Sequence, residues 1–442
     1  MKGLAVFAAT VSTISSGVAC GGATSLPDDT TPHQDTPAGS GNLVENVGPG
    51  SGFATAPELD AAPRDSTCDN SQHAAELWRR RLGDDDVAGS TSIASDPAGN
   101  VFVAGALFGV IKFDHGGDAL WSKPFGSFVA VGANESVYVA GTFDGSVDLD
   151  SCHAAGAGKT DVYLAELDMD GVVLGCLSLG GPGDEGISGL AVDRNGAPIV
   201  SGPGLGTVKL DARGHTLWKQ PIAGGIAVDS QNDVVVTGAF SSEMAIGSEV
   251  LESAGGDDVF VAKLDPHGDV SFVRRFGDAG SRQIGQGIAV DEDDDVLVSG
   301  VFDGSVDFGG GPLTVHQEAC PAETWCEQAG FIVKLTASGA HVWSRSRAPV
   351  RSLDGIAVDS RGNVLVSGAY PGNVPPYRLP LLVELDTDGS DVERPFYVGN
   401  ATTDAGAGHG VAFDSCDNLL WSFGAPPEPS ATSRSFLAKL AP

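Results

Sequence analysis

The sequence predicts an all-β fold: a seven-bladed β-propeller of four-stranded antiparallel blades, its last blade closed by residues 76–83. Three observations predict it. A hairpin signature recurs seven times, each copy is followed by further strand signals, and one strand-like stretch, ELWRRRLG (Glu76–Gly83), stands alone ahead of the first copy. The composition agrees, with 62 Gly in 442 residues, roughly twice average usage, and only 7% aromatic residues. Glycine weakens helices and supplies positive φ in tight turns, so short strands joined by turns are favoured.

The signature is an apolar strand ending in Asp, a polar turn, and a second apolar strand ending in Gly. It reads SIASDPAGNVFVAG from Ser92, FVAVGANESVYVAG from Phe128, GLAVDRNGAPIVSG from Gly189 and GIAVDSQNDVVVTG from Gly225. It continues as GIAVDEDDDVLVSG from Gly287, GIAVDSRGNVLVSG from Gly355 and GVAFDSCDNLLWSF from Gly410. Apolar and polar residues alternating around an Asp/Gly/Asn turn predict a β-hairpin. A third strand and turn follow, as in VYLAELDMDGVV, TVKLDARGHTLW and VFVAKLDPHGDVSF. A fourth strand then carries a bulky residue, Trp121, Trp218, Phe272 or Trp343. The seventh copy runs to SFLAKLAP (Ser435–Pro442) and stops after its third strand. In ELWRRRLG, Trp78 sits as the fourth-strand tryptophans do, so the spare strand is expected to fill the gap. A ring closed in this way leaves no sheet edge exposed, whereas a linear solenoid would gain nothing from the offset.

The units resemble the bacterial SBBP repeat, most closely in GIAVDEDDDVLVSGVFDGSVDFGGGPLT (Gly287–Thr314) and SAGGDDVFVAKLDPHGD (Ser253–Asp269). The first and third copies lack the FDGSVDFGG excursion. The resemblance spans nearly all of residues 76–442. It implies a seven-bladed propeller of the kind found on surface proteins and lipoproteins, and it implies no activity.

The start of the chain predicts an address. MKGLAVFAATVSTISSGVAC has an early cation, Lys2, then an apolar stretch too short to span a bilayer. Its end, GVAC, resembles a bacterial lipobox, with Gly17 where Leu is usual. That implies cleavage and lipidation at Cys20, and Gly21 after it implies passage to the outer membrane. An ordinary cleaved secretory signal is the alternative. Residues 1–20 are thus expected to be a lipoprotein-type signal, 21–67 a disordered Pro/Gly/Ser/Thr/Asp-rich tether, and 68–442 the propeller. A coil of that length would hold the domain ~40 Å from its anchor. The net charge of −33 repels phosphate backbones, so nucleic acid and anionic membrane surfaces are poor partners, and the membrane is met only through the lipid anchor.

Apart from Cys20, six cysteines remain, an even number that suits disulfides in an exported chain. Cys320 and Cys326 bracket PAETW, and Cys152 and Cys176 share blade 2. Cys68, just before the closing strand, and Cys416, in a turn of blade 7, become neighbours if the ring closes as expected. Their bond would stabilise by about 3–5 kcal/mol on loop entropy.

Little in the chain points to chemistry. Asp291, Asp293 and Asp295 have the alternate spacing of a calcium loop, but Val296 and Phe302 stand where an EF-hand needs Gly and Glu. Sister turns hold only turn formers, so these three are weak metal candidates and read first as a solvated turn. Asp168 with Asp170 and Asp386 with Asp388 read as turns too. The histidines are scattered, with His115, His215, His267 and His341 in or beside the third-to-fourth strand turn, and no HExxH or G-x-S-x-G motif occurs. No catalytic residue and no cofactor is expected. LDARGHTLW and FDHGGDALW resemble the repeat of quinoprotein propellers over a few residues, although tryptophan there serves blade packing equally well. The expected function is therefore non-catalytic binding or scaffolding from a loop-rich face. The partner would be an envelope or extracellular protein or glycan. An exported enzyme, quinoprotein-like or polysaccharide-acting, and a structural surface protein are the alternatives. The least regular segments, 142–161, 240–258, 302–330 and 371–380, are the expected contact surfaces, with Trp325 as an anchor in the pinned loop.

Overall fold

A computed structural model of the chain describes residues 76–83, 91–315, 328–371, 378–392, 396–397, 408–425 and 434–441. Cys20, the tether, Cys68 and the loop holding Cys320, Trp325 and Cys326 lie outside the described residues. Seven four-stranded sheets and two small hairpins account for the strands, and no helix occurs among the described residues.

Blade 1 comprises Thr91–Ser95, Val101–Gly105, Gly109–Phe113 and Ala119–Lys123, hydrogen-bonded in that order. Blade 2 uses Phe128–Val131, Val137–Leu149, Cys152–Leu167 and Val173–Leu179. Blade 3 uses Gly189–Val192, Pro198–Gly202, Gly206–Leu210 and Thr216–Gln220. Blade 4 uses Gly225–Val228, Val234–Phe240, Asp258–Leu264 and Val270–Phe276. Blade 5 uses Gln283–Val290, Val296–Asp303, Gln328–Leu335 and His341–Arg347. Blade 6 uses Ser352–Val358, Val364–Pro371, Arg378–Leu385 and Phe396–Tyr397. Blade 7 has Gly408–Phe413, Leu419–Ala425 and Arg434–Leu440, and Glu76–Gly83 completes it. The closing strand runs antiparallel to Arg434–Leu440 with Trp78 opposite Lys439. The predicted closure is the observed one.

The inner strands differ from the alternation expected of a half-solvated hairpin. VFVAG (Val101–Gly105) and PIVSG (Pro198–Gly202) are buried at every position. Blades stack face to face, so each inner strand has a neighbour on both sides, and continuous β-branched runs suit that double burial. Exposed positions dominate the fourth strand, as in ALWSK (Ala119–Lys123) at the rim. The core is accordingly laid down between blades: one cluster joins Tyr138 and Leu164 to Val200 and Leu210, another joins Val261 and Phe272 to Val298 and Phe331.

The excursions after the second strands of blades 2, 4 and 5, expected to be irregular contact surfaces, are regular in their described parts, and most of their strand residues stay exposed or half-buried. Each folds back as a hairpin along the rim of its blade. Leu149, Ile246, Val306 and Phe308 are buried there, and Phe308 packs 4.9 Å from Phe276 and 4.8 Å from Phe331 between ring centroids. In blade 2 the arm tip returns to the fourth strand, where Ser151 Oγ donates to the Val173 carbonyl at 3.3 Å. Cys152 and Cys176 form the expected disulfide, Cα atoms 6.0 Å apart, and fasten that arm.

Candidate functional site

The two ends of the ring are built differently. On one end, here the turn face, lie the first-to-second and third-to-fourth strand turns. At the first of these, an Asp caps the turn. Asp193 Oδ1 accepts the amides of Asn195 (2.9 Å) and Ala197 (2.8 Å), and Asp229 Oδ1 those of Gln231 (2.8 Å) and Asp233 (2.9 Å). Three residues on, each turn passes through positive φ, at Gly99, Glu135, Gly196, Asn232, Asp294, Gly362 and Asp417. Where that residue is not Gly it is mostly Asn or Asp, which tolerate the left-handed region best. Some of these carry a bond across the joint: Asp294 accepts the Ser230 amide (2.8 Å) and hydroxyl (2.6 Å).

The remaining oxygen of the capping Asp meets a buried lysine from the third strand. Lys209–Asp193 (2.8 Å), Lys263–Asp229 (2.6 Å), Lys334–Asp291 (2.7 Å) and Lys439–Asp414 (2.7 Å) repeat one ion pair in four blades. Burial works to lower the Lys263 ammonium, yet Asp229 and Asp233 together hold it above its ordinary value. In blade 1, Lys112 donates to the Met169 carbonyl of blade 2 at 2.8 Å, and burial brings its ammonium below the usual range.

Opposite that lysine stands the fourth-strand aromatic, which reaches into the next blade. The indoles of Trp78, Trp121, Trp218 and Trp343 donate to the carbonyls of His115 (3.1 Å), Met169 (2.9 Å), Pro266 (3.0 Å) and Thr387 (3.1 Å). The rings lie on the positive-φ glycine of the same turn. A Cβ on Gly117, Gly268 or Gly389 would stand 2.7, 2.7 or 2.8 Å from the ring, so only glycine fits. Two residues later an arginine completes the grip: Arg80, Arg274 and Arg345 donate to the carbonyls of Gly117, Gly339 and Gly389.

Blade 2 departs from this scheme in three places at once. Gly132 replaces the capping Asp, Glu166 the lysine and Gly175 the aromatic. Ser136 Oγ donates to Glu166 Oε1 at 3.1 Å, and Tyr138 Oη donates to the Gly196 carbonyl of blade 3 at 3.2 Å. Burial, against the bonds from Ser136 and Tyr138, pushes the Glu166 carboxyl up to about 7.

The other end, the loop face, carries the second-to-third strand connections and the crossings between blades. Between blades 4 and 5 it opens into a cleft of about 650 Å³ lined by Ser241, Gly256, Asp257, Ser281, Arg282 and Asp303, among others. Glycine backbone, two hydroxyls, two carboxylates and one guanidinium make it polar. Arg282 Nε stands 3.9 Å from Asp303 Oδ2. A surface of this kind suits hydrogen-bonded recognition of a polar ligand.

The carboxylates singled out in the sequence fall on the turn face. Asp291 caps its turn and pairs with Lys334, and Asp295 accepts the Ala337 amide at 3.1 Å and stands 3.4 Å from the same lysine. Asp293 is exposed. An ammonium thus stands where a calcium loop would place its ion. Asp168 and Asp386 cap their turns, through the amides of Asp170 (3.0 Å) and Asp388 (3.2 Å). Among the described residues no set of three or more His, Cys, Asp or Glu side chains converges to hold a metal. Cys416 is disulfide-bonded, and Cys68, the partner expected for it, lies outside the described residues. Of the cleft residues, Ser241, Gly256, Asp257 and Asp303 fall within the segments 240–258 and 302–330 expected as contact surfaces, whereas Ser281 and Arg282 come from the crossing between blades 4 and 5.

Seven sheets in a closed ring with matching registers decide the class. The chain is a β-propeller repeat protein. No known family profile matches it. A curated relative, an uncharacterised WD repeat-containing protein of Acanthamoeba polyphaga mimivirus, is 23% identical over 215 residues, covering 40% of this chain and 15% of the relative. The chain therefore spans a small part of that relative's length. Among solved structures, the WD40 propeller domain of Doa1 aligns at 9% identity and a TM-score of 0.43, covering 82% of this chain and 96% of that one. A glucose dehydrogenase aligns at 11% identity and a TM-score of 0.38, covering 81% and 99%. Likenesses this distant carry no functional argument.

Proposed function

We propose that this protein is a non-catalytic binding propeller, tethered at the cell envelope, that holds a protein or glycan partner on its loop face. One observation carries the reading. The repeated polar groups of the turn face are engaged in joining blades, whereas the loop-face cleft between blades 4 and 5 gathers polar side chains that belong to no repeated joint. Selection for a stable ring accounts for the first set, and recognition accounts for the second. The arms and their FDGSVDFGG sequence support an SBBP-type repeat. The lipobox-like GVAC and the following tether support lipidation at Cys20, and the Cys152–Cys176 bond suits an oxidising compartment.

The test compares the two faces. Nothing lies within 4 Å of a Cβ built on Gly280, so Gly280→Trp would fill the cleft without disturbing the ring. Glu292→Lys changes an exposed residue of the turn face. Partners captured from envelope extract, and ligands on a glycan array, should be retained by Glu292→Lys and lost by Gly280→Trp. Loss in both or neither would overturn the assignment of the face. No ligand for the wild-type chain in either assay would favour a structural surface protein. For the tether, Cys20→Ser should move the protein from membrane to soluble fractions.

A further inference from the structure

Blades 2 and 4 share a buried polar position on the loop face, and they balance its charge differently. Registers establish the equivalence. Asp161 lies opposite Phe143 as Asp258 lies opposite Phe240, and Ser178 lies opposite Tyr163 as Arg275 lies opposite Phe260. The Glu185 amide donates to the Thr160 carbonyl at 2.8 Å, as the Gln283 amide donates to the Asp257 carbonyl at 2.7 Å.

In blade 4, Asp258 is fully buried and its Oδ2 accepts from Arg275 at 2.6 Å, while Gln283 beside it is neutral. One negative charge meets one positive charge. In blade 2, Asp161 is equally buried, but serine replaces that arginine and Glu185, 8% exposed, replaces the glutamine. The position has lost a positive charge and gained a negative one, leaving two carboxylates. Asp161 Oδ2 accepts the amides of Ala157 (3.0 Å) and Gly158 (3.2 Å), and Glu185 Oε2 accepts that of Gly181 (3.1 Å). Asp161 Oδ1 has no partner. Asp258 Oδ1 also lacks one, but its carboxylate already holds a guanidinium. Lys159, the cation of the blade 2 loop, turns outward to Asp184 at 3.2 Å with its side chain 77% exposed.

Burying two carboxylates without a counter-charge costs several kcal/mol, roughly, and a cation held between them would offset that cost. Both carboxylates converge on one spot: a Cβ on Gly180 would stand 2.0 Å from Asp161 Oδ1 and 2.8 Å from Glu185 Oε2. Carbonyl oxygens crowd the same loops, with those of Gly181 and Gly183 placed 2.3 and 2.7 Å from a Cβ built on Gly158. We infer that Asp161 and Glu185 bind a divalent cation of the calcium class, with loop carbonyl oxygens completing its shell. All-oxygen donors select hard cations, and ligands on irregular glycine loops suit the adaptable sphere of calcium better than the strict octahedron of magnesium. This site goes beyond the proposed binding function and does not depend on it.

The test uses the full chain. Calcium binding is followed by calorimetry, and thermal unfolding is followed in excess calcium and in chelator. The wild type should bind calcium and unfold at higher temperature with it. Glu185→Gln should weaken binding at least about tenfold by reducing the ligand charge. The double variant Ser178→Arg/Glu185→Gln copies blade 4, so it should fold and unfold at the same temperature with or without calcium. An unchanged wild-type unfolding temperature would overturn the site. So would a calcium response that survives in the double variant, since the ion would then sit elsewhere. Stabilisation of the wild type by acid instead of calcium would assign a shared proton in place of the cation.

Discussion

The joints between blades 7 and 1 and between blades 2 and 3 meet the same need by different means. At the first, groups from both ends of the chain converge on one carbonyl. Trp78 from the closing strand and Lys439 from the last strand both donate to His115, at 3.1 and 3.4 Å. Arg80 holds the adjoining glycines. At the second joint every one of those roles has lapsed, and Tyr138 reaching Gly196 serves instead. The groups there come from neighbouring stretches of chain, so weakness loosens one joint. Weakness at blade 7 would separate the two ends of the ring. The fullest clamp stands where failure would cost the most structure.

Trp78→Ala should therefore have the largest effect, about 3–5 kcal/mol in denaturant unfolding, through lost packing and an empty site over Gly117. A loss below about 1 kcal/mol would erase the contrast between the joints. Next, Glu166→Lys should restore the missing lysine without its aspartate and cost about 2 kcal/mol as an unpaired buried charge, and adding Gly132→Asp should recover most of it. A single variant as stable as the wild type would show that blade 2 needs no partner there. Then Gly117→Ala should cost more than Gly214→Ala, by about 1 kcal/mol or more. Both have φ near +80°, and the Trp78 ring lies on Gly117, whereas blade 2 has Gly175 at the position from which an aromatic would reach the turn of Gly214. Equal losses would mean that backbone strain, and not the ring contact, explains the glycine.

The smallest effect is a pH dependence. Glu166 titrates at about 7 in the fold, above its ordinary 4.5, so the folded state holds the proton more tightly. The stability this lends is complete below pH 4.5 and is lost as pH rises through about 7. Glu166→Gln should flatten that part of the stability profile. A wild-type profile that is flat across the same window would deny the burial of this carboxyl.

Much of the ring was legible in the sequence, because its features repeat within a single chain segment. The hairpin signature, the third strand and the stray ELWRRRLG all follow from local pattern, and Trp78 in register with Trp121 and Trp343 was enough to close the ring. The clamps were harder to read, since each joins a residue to a turn one repeat later, as Trp121 joins Met169 across 48 positions. The columns carry the signal nonetheless: an aromatic, then Arg two residues on in three blades, always one unit ahead of an Asp-x-x-Gly or Thr-x-x-Gly turn. The regularity of the rim arms did not show, because FDGSVDFGG looks like an irregular loop and only packing against Phe276 and Phe331 buries Val306 and Phe308. The Asp161–Glu185 position appears only when blades 2 and 4 are compared, since neither residue is unusual alone. The cleft draws on two segments marked by their irregularity, 240–258 and 302–330, but the crossing that brings Ser281 and Arg282 to them carries no linear signal.

The closing strand also sets an order of events. Glu76–Gly83 leaves the ribosome before any blade, yet its partner is Arg434–Leu440, and the bond from Lys439 to His115 spans 324 positions. A pairing so distant must wait for all the intervening blades, and such non-local contacts make folding slow. Throughout that wait, the closing strand and the edge of blade 7 are both unpaired and open to wrong partners. Three consecutive arginines in ELWRRRLG give the waiting strand charge that discourages self-association. The segment that finishes the molecule is thus also the one that must be kept from finishing it too early.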